Sequence, residues 1–470
     1  MQAPQNQNTD NPGIYTEIYR RHRDFYESGK TQDHHFRASQ LKLLRKVIKT
    51  HEREILGALH ADLRKPEFEA FTSEIGLVYD EIAFALDHLK AWMKPQKITT
   101  PAVLFPTTSR IIPGSKGTVL IIAPWNYPVM LLLSPLVGAI AAGNTVFLKP
   151  SELAPHCAAL METLFAENFD PGYISVVNGD GAKVVSEMMD AITFDHIFFT
   201  GGTSVGKIIA QKAAKTLTPV TLELGGKSPA VVEADADITL AAKHIAWGRF
   251  FNAGQSCVSP DYVLVHRSQK QKFTDKICHF IREFWGENPQ ESESYGRIIN
   301  HRRFDVLNDF LKDGNIIAGG QTDREDLYIA PTVVDHPSME SRLMKEEIFG
   351  PILPVIPFSD RAEAVSIIHR NPQPLAFYLF TQSDQTSDEY IRRIDFGGGC
   401  INNTMIHLAS PHLPFGGVGS SGMGSYHGEQ SFRTFSHYKS VMKTRAFYDN
   451  PLRYPPYNNR KTDIAQWVFD

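Results

Sequence analysis

Three residues in this sequence have side chains suited to nucleophilic chemistry. Cys257 follows the Gly-Gln-Ser step of FFNAGQSCVSPDY and is one of four cysteines in 470 residues. Glu223 ends the apolar segment PVTLE, where a buried carboxyl costs free energy unless it is paired or protonated. Asn126 lies in an apolar segment between two prolines. A thiol can attack carbonyl carbon, a carboxylate can take a proton from water, and an amide N–H can bind an oxyanion.

Each of these residues also has a structural interpretation. A lone cysteine is more often a small buried hydrophobe than a reagent. An asparagine after a strand commonly caps a turn. That interpretation is weaker for Asn126, because it lies between Pro124 and Pro128 in an apolar segment. The side chains alone therefore leave open whether the site is catalytic.

Composition narrows the class of protein. The chain is 42% hydrophobic and 21% charged, enough for a large core divided into two or three domains. A net charge of −4 without blocks of like charge gives no reason to expect a nucleic-acid partner. So few cysteines favour a reducing compartment, which we interpret as the cytoplasm. No metal-ligand spacing occurs, so we expect no metal and interpret three cysteines as packing residues: Cys157, Cys278 and Cys400. We expect the histidines at 34, 35 and 427 at the surface.

Neither terminus predicts a membrane segment. The N-terminal MQAPQNQNTDNPGIY has no basic or apolar region, so we expect a disordered lead-in and no signal peptide. The C-terminal NNRKTDIAQWVFD lacks the roughly 20-residue apolar anchor that spans a bilayer. Residues 117–148 are uncharged, but prolines and an asparagine break any single helix there.

The uncharged segment instead predicts one βαβ unit that is buried on both faces. GTVLIIAP and NTVFLKP are strand candidates, and SPLVGAIAAG between them predicts a helix with Ser134 as N-cap, Pro135 in its first turn and Gly143 at its end. The alternation continues through PVTLELGG and predicts a doubly wound sheet. Residues 16–94 predict helices that pack on this sheet, and residues 100–114 a protruding hairpin.

Two glycine-rich segments are candidates for a phosphate-binding turn. GVGSSG at 417–422 matches the dinucleotide-binding string, but no strand precedes it and no acid lies about 20 residues further on, so we reject it. TGGTSVG at 200–206 follows the strand HIFFT and opens a helix at Val205, whose N–H groups could face a pyrophosphate.

Seven segments occur in an order and spacing that resemble the aldehyde dehydrogenase superfamily: APWNYP at 123, GNTVFLKPSE at 143, FTGGTSVG at 199, LELGGKSP at 222, FFNAGQSC at 250, EEIFGP at 346 and LPFGGVGSSGMG at 413. The resemblance extends from about residue 16 to about 458. The segments WNYP, KPSE, SGMG and RYPPY are similar to the class three, NAD(P)-dependent branch.

The resemblance implies a catalytic role for the three residues above. Cys257 would be the nucleophile, forming a thiohemiacetal and then a thioester, while Asn126 and the backbone N–H of Cys257 bind the oxyanion. Glu223 would activate water against the thioester. Acylating, coenzyme-A-dependent relatives lack this glutamate, so the resemblance implies a non-acylating dehydrogenase that releases the free acid.

The resemblance also implies a cofactor site for NAD, with NADP as an alternative. Lys149 and Glu152 are similar to the pair that holds the adenine ribose, and an acid there tends to repel a 2′-phosphate. Glu347 and Phe349 match the residues that bind the nicotinamide ribose and pack beside the nicotinamide. The remaining cofactor contacts that we expect are Trp125, Gly201 and Gly206.

The implied fold is α/β, with a doubly wound Rossmann-like cofactor domain, a second α/β catalytic domain and a small β oligomerisation arm. We expect the cofactor domain in residues 1–97 and 114–222, the catalytic domain in 223–420, the arm in 98–113 and 421–445, and a C-terminal tail in 446–470. The resemblance to the class three branch implies a homodimer, and we expect the arm to form the contact between subunits.

An apolar entrance favours an aromatic or medium- to long-chain aliphatic aldehyde as substrate, based on Trp125, Tyr127, Val129, Met130, Phe251 and Phe415. Two alternatives remain at this point: a cysteine acyl hydrolase that uses Cys257 and Glu223 without redox chemistry, and a non-catalytic protein that retains the fold.

Overall fold

The computed structural model describes residues 13–469 and shows an α/β fold, as predicted. Its helices are α1 Gly13–Glu27, α2 His34–Thr50, α3 Glu52–Leu63, α4 Glu67–Ala70, α5 Gly76–Trp92, α6 Met130–Ala142, α7 Pro155–Asn168, α8 Gly181–Ala191, α9 Thr203–Ala214, α10 Ile238–Phe250, α11 Lys270–Trp285, α12 His301–Phe310, α13 Arg342–Lys345, α14 Arg361–Ile368, α15 Asp384–Arg393, α16 Gly428–Thr434 and α17 Asn459–Phe469.

The strands alternate with these helices through most of the chain. They are β1 Gln96–Ile98, β2 Thr107–Ser115, β3 Thr118–Ile122, β4 Thr145–Lys149, β5 Ile174–Val176, β6 His196–Thr200, β7 Val220–Glu223, β8 Pro229–Val232, β9 Tyr262–His266, β10 Asn315–Ala318, β11 Thr322–Asp323, β12 Tyr328–Ile329, β13 Thr332–Asp335, β14 Ile352–Phe358, β15 Ala376–Phe380, β16 Gly398–Ile401, β17 Gly422–Met423 and β18 Ser436–Thr444.

The first sheet has the order β17-β7-β6-β3-β4-β5. Strands β3 to β7 pair in parallel, whereas β17 is antiparallel to β7. Every residue of β3, β4 and β6 is buried, because helices cover both faces of the sheet. From β3 the chain first builds β4 and β5 on one side and then returns to build β6 and β7 on the other. The predicted doubly wound sheet is therefore confirmed, with the reversal between β3 and β6.

A second sheet has the order β10-β13-β14-β9-β8-β15-β16 and is parallel except for β10. One continuous hydrophobic core contains residues of both large sheets, including Ile121 of β3 and Val263 of β9. The two sheets are thus held in a fixed relation by packing, although the domain boundaries given above stay a prediction.

A third sheet joins distant parts of the chain in the order β1-β2-β18. β18 pairs with β2 along nine residues, from Ser436 opposite Ser115 to Thr444 opposite Thr107. A hairpin is present, but only β2 overlaps the predicted residues 100–114, because its partner β1, Gln96–Ile98, lies entirely ahead of them. β18 has no neighbour on its other side among the described residues, and Val441 and Met442 are exposed.

Several predicted element boundaries were wrong. Helix α6 begins at Met130, so Ser134 is not its N-cap and Pro135 lies inside the helix. Helix α9 begins at Thr203, two residues before Val205. The N-terminal lead-in falls mostly on residues 1–12, outside the described residues, and its last three residues belong to α1. Gly143 does end α6, with a left-handed φ of 87°.

Candidate active site

Cys257 is presented by an irregular loop that follows α10. After Phe250 the backbone enters the left-handed region three times in succession, at Asn252 (φ 52°), Ala253 (φ 50°) and Gly254 (φ 73°). A Cβ atom at Gly254 would collide with the backbone of Gly350, so only glycine fits there. This close approach fixes the loop against the segment that carries Phe349.

Two cavities meet at Cys257. An apolar cavity of about 320 Å³ has mainly aromatic and aliphatic walls, including Trp247, Phe251 and Phe415. A second cavity of about 250 Å³, here named the glycine-lined cavity, has Gly201, Gly202 and Gly225 in its wall. Five residues line both cavities: Leu131, Thr200, Glu223, Leu224 and Cys257. None of the other three cysteines of the chain lines either cavity.

The edge of the first sheet explains why these residues converge. The carboxyl ends of parallel strands lie on one edge, and ligands bind in the crevice where the strand order reverses. β3 leads to Asn126, β4 ends at Lys149, β6 leads to Gly201 and β7 ends at Glu223. The crevice therefore collects residues that are up to 97 positions apart in sequence (223 − 126 = 97).

The surroundings of Cys257 favour the neutral thiol over the thiolate at neutral pH. Burial, together with the carboxyl groups of Glu347 and Glu223, raises the pKa of Cys257 to about 12. The backbone N–H groups of Cys257 and Val258 act in the opposite direction, because they lie where they favour the thiolate. Formation of the reactive thiolate thus needs a proton acceptor or a change in these neighbours.

Glu223 is a buried carboxyl with no hydrogen-bond partner for either oxygen among residues 13–469. Its side chain is 2% exposed, and its backbone is held between Thr200 of β6 and Gly422 of β17. Burial raises the pKa of Glu223 well above its ordinary range. A carboxyl in this state can accept a proton from water once it is ionised.

The side chain of Asn126 is also buried, and it lines the glycine-lined cavity with Cys257. Its Nδ2 donates to the Gln255 carbonyl at 3.0 Å, which connects the two loops. Since a primary amide has two N–H donors, one donor remains for a ligand in the cavity.

Four of the residues expected at the cofactor line the glycine-lined cavity: Trp125, Gly201, Glu347 and Phe349. The rings of Trp125 and Phe349 meet edge to face, with centroids 5.3 Å apart. Burial and the Asp261 carboxylate raise the pKa of Glu347 to about 8. The Glu347 carboxyl also packs directly over Gly225, where any Cβ atom would displace it.

The other three expected cofactor residues lie outside the lining of this cavity. Lys149 is buried at the end of β4 and donates to Glu152 at 3.0 Å. The Glu152 carboxyl lies beside Gly181, at the start of α8. Gly206 is in the first turns of α9, where a Cβ atom would strike Leu224, so this glycine allows the helix to pack closely on the sheet.

The apolar cavity contains four of the six residues predicted at the substrate entrance: Tyr127, Met130, Phe251 and Phe415. Trp125 lines the glycine-lined cavity instead. Val129 is 1% exposed and belongs to the core.

Sequence reasoning missed two residues at the site. Arg303 lines the glycine-lined cavity, and its Nε has no hydrogen-bond partner among the described residues, but NHRRF reads as an ordinary basic helix start. His427 was expected at the surface and is instead 9% exposed, in the wall of the apolar cavity. It stacks on Phe415 with centroids 5.4 Å apart, and burial lowers the pKa of His427 to about 4. No sequence signal separates this histidine from a surface one.

Three further findings concern the remaining cysteines, metal sites and membrane segments. Cys157 is buried in the core, and Cys278 and Cys400 pack against it, which agrees with their interpretation as packing residues. Within residues 13–469, no cluster of His, Cys, Asp and Glu side chains has the arrangement of a metal site. In the same range, no helix combines the length and apolar character needed to cross a bilayer.

Comparison with known proteins identifies the family of the chain. The aldehyde dehydrogenase family matches residues 17–441. The chain is 46% identical over 438 residues to a 4,4′-diaponeurosporen-aldehyde dehydrogenase from Staphylococcus aureus (strain NCTC 8325 / PS 47), covering 93% of this chain and 95% of that protein. It is 41% identical over 443 residues to a dimeric, NADP-preferring aldehyde dehydrogenase from Canis lupus familiaris, covering 94% and 97%.

A solved structure of Staphylococcus aureus AldH in a substrate-bound state has the same fold. Its TM-score is 0.94 at 44% identity, and the match covers 97% of this chain and 99% of the other. The chain therefore belongs to the aldehyde dehydrogenase family and is an NAD(P)-dependent aldehyde dehydrogenase.

Proposed function

We propose that the protein oxidises an apolar aldehyde to its carboxylic acid through a thioester on Cys257. The observation that carries the proposal is the meeting of two cavities at Cys257 and Glu223. One cavity is suited to an apolar substrate and the other to a nucleotide, and a nucleophile lies where they join.

The residues of the glycine-lined cavity fit a nicotinamide cofactor. Gly201 and Gly202 precede α9, whose N-terminal N–H groups have no side-chain cap and suit a phosphate. Glu347 offers a carboxyl to ribose hydroxyls, and Trp125 and Phe349 offer ring faces and edges to a planar group. When bound, NAD or NADP supplies the acceptor for a hydride. The chain's own residues supply the remaining chemistry.

In the first half of the reaction, the Cys257 thiolate adds to the aldehyde carbon and forms a C–S bond. The carbonyl π electrons move to oxygen, which accepts hydrogen bonds from the Asn126 amide and the Cys257 backbone N–H. The oxyanion then re-forms the C=O bond as hydride leaves with its two electrons. A thioester on Cys257 remains.

In the second half, Glu223 takes a proton from a water molecule that attacks the thioester carbon. The C–S bond breaks, Glu223 passes its proton to the departing sulfur, and the products are the carboxylic acid and the Cys257 thiol, which releases a proton to solvent before the next turnover. The raised pKa of Glu223 makes it a stronger base than an exposed glutamate once it is ionised, which suits this role. The net reaction is an aldehyde, water and oxidised cofactor giving an acid, reduced cofactor and a proton.

The apolar cavity supports an aromatic or medium- to long-chain aliphatic substrate. Its volume of about 320 Å³ and walls such as Trp247, Phe251 and Phe415 favour a large apolar group over a small polar one. The relative from Staphylococcus aureus is named for 4,4′-diaponeurosporen-aldehyde, so this aldehyde belongs in a substrate panel.

For the cofactor, we propose NAD with NADP also accepted. Glu152 beside Lys149 supports NAD, since a carboxylate near the adenine ribose repels a 2′-phosphate. The NADP-preferring relative from dog supports the use of NADP as well. The name of that relative and the unpaired edge of β18 also support a homodimer.

Cys257→Ala tests the covalent mechanism, and Cys278→Ala is the matched control. We expect Cys257→Ala to produce no NADH from any aldehyde while it still binds NAD, because the glycine-lined cavity keeps its other residues. Cys278, outside both cavities, should be dispensable. NADH production by Cys257→Ala would refute the thioester route, and ester hydrolysis without aldehyde oxidation by the native enzyme would favour the hydrolase alternative.

A further inference from the structure

A buried ion pair lies behind the active-site loops, in a segment that the catalytic scheme does not use. Lys65 Nζ and Glu74 Oε1 are 2.6 Å apart, and both side chains are completely buried. Desolvating two charged groups costs free energy, and their attraction offsets that cost only with good geometry and additional hydrogen bonds. The additional hydrogen bonds of this pair indicate which parts of the chain it positions.

The pair holds both ends of the segment that carries Asn126. Lys65 Nζ donates to the Asn126 carbonyl at 3.1 Å and lies 4.3 Å from the ring centroid of Tyr127. Glu74 Oε2 accepts the backbone N–H groups of Val129 at 3.0 Å and Met130 at 2.9 Å. The single ion pair therefore fixes the segment at its first residue and again where α6 begins.

The same contacts reach the loop of the nucleophile. The Asn126 carbonyl, held by Lys65, also accepts from Asn252 Nδ2 at 2.9 Å. Asn252 Nδ2 donates in addition to the Gln255 carbonyl at 3.1 Å, and the Asn126 side chain donates to the same carbonyl. Gln255 is two residues before Cys257, so two hydrogen bonds connect Lys65, through the Asn126 carbonyl, to the loop that presents the thiol.

A local irregularity directs the acidic side chains of this segment. Between α4 and α5, residues Phe71–Ile75 form a π-helical turn. Glu69 and Glu74 are five residues apart, which places them on different faces of an α-helix but on nearby faces of a π turn. Both are buried here, and the backbone N–H of Asn252 opposes the rise that burial causes in the pKa of Glu69. π turns are frequent at functional sites.

We propose that Lys65 and Glu74 are positioning residues, which hold the oxyanion donors in line with Cys257. The inference rests on the proposed thioester mechanism. Neither residue lines the two cavities, so neither touches the reacting atoms. They act through the carbonyl of Asn126 and the start of α6, and thereby on the first half of the reaction.

The test is the double variant Lys65→Met/Glu74→Gln. It removes both charges together, so neither is left buried alone, and glutamine can still accept from Val129 and Met130. We expect the first-turnover rate of NADH formation, measured by rapid mixing, to fall about 10- to 100-fold, since small misplacements of catalytic groups have effects of that size. Cofactor affinity and the decay rate of a preformed thioester should stay close to native.

Two further variants distinguish positioning from general destabilisation. Glu74→Gln alone leaves Lys65 to donate to Asn126, so its first-turnover rate should fall less than in the double variant. Tyr390→Phe removes a buried hydrogen bond of 2.8 Å to Glu233, beside the second sheet, and should leave this rate near native at a comparable loss of thermal stability.

A native first-turnover rate in the folded double variant would overturn the inference, as would an equal loss in Tyr390→Phe. If the double variant does not fold, the Glu74→Gln rate decides, and an unchanged rate counts against the inference. Failure of the proposed function itself would show differently, as NADH production by Cys257→Ala.

Discussion

The carboxyl of Glu223 differs from the other acids near the site in its lack of hydrogen-bond partners. Neither oxygen has a hydrogen-bond partner in the described part of the chain, while neighbouring acids such as Glu74 and Glu347 are paired or packed. A structural carboxyl would be expected to have partners, because an unpaired buried polar group costs free energy. An acid left without partners between two cavities is instead available to a water molecule and a thioester.

Glu223→Gln keeps the shape of this side chain but cannot take a proton. We expect turnover to fall by roughly 100-fold or more, the usual range for a lost general base. The acyl group should accumulate on Cys257 and be visible by intact-mass measurement after mixing with aldehyde and NAD. Glu233→Gln is the matched control, a buried acid that bonds Tyr390 away from the site. Near-native turnover of folded Glu223→Gln without an adduct would exclude the role.

Residue types and motifs predicted part of this site and missed the rest. Cys257, Glu223 and Asn126 were found because their side chains are chemically distinctive, and they do lie around one junction. Arg303 and Lys65 were missed, since a basic residue that turns inward has no local sequence signal. Their positions depend on partners 45 and 61 residues away, the Ile348 and Asn126 carbonyls.

At the level of elements, apolar runs bounded by glycine and proline predicted the βαβ unit around α6, but not the start of that helix. A serine before a proline suggested a cap at Ser134. In the structure, the carboxylate of Glu74 accepts the first N–H groups of α6 from 55 and 56 residues away. A cap supplied by a distant acid leaves no local pattern, which is why the boundary was placed too late.

The loop after α10 gives a prediction at the same scale. Gly254→Ala puts a Cβ atom on a left-handed residue and against the backbone of Gly350. We expect the free energy of unfolding to fall by about 1–3 kcal/mol and aldehyde oxidation to fall more than stability alone explains, since Cys257 would move. Gly57→Ala is the control, because Gly57 lies inside α3 with open space at its Cβ position.

Thermal unfolding and first-turnover kinetics of these two glycine variants check the prediction. Gly57→Ala should be neutral or more stable by up to about 1 kcal/mol, since alanine favours a helix. An active Gly254→Ala enzyme with native stability would show that the loop tolerates another conformation.

At the scale of the whole molecule, the free edge of strand β18 is a surface suited to pairing with another chain. An exposed strand edge of nine residues presents unpaired backbone groups, which proteins usually cover, and Val441 and Met442 add apolar surface. Pairing with a second copy of the chain would cover this edge, in agreement with the dimeric relative.

If the proposed homodimer forms through this edge, Val441→Asp/Met442→Asp should give a monomer in light scattering after size-exclusion chromatography. The charges make burial of this surface unfavourable, while the sheet β1-β2-β18 keeps its own pairing. Leu217→Asp is the control, since Leu217 is 89% exposed and lies outside the sheet β1-β2-β18. A double variant that remains dimeric would place the contact on another surface.

The pairing of β17 with β7 has a consequence for how the enzyme is made. Glu223 is bracketed by β6 on one side and by Gly422 on the other, a residue that follows it by 199 positions (422 − 223 = 199). During synthesis the ribosome completes the parallel strands β3 to β7 long before it adds Gly422. We therefore expect a nascent chain to acquire its parallel sheet early, while the strand beside Glu223 is added only after a further 199 residues have been translated (422 − 223 = 199).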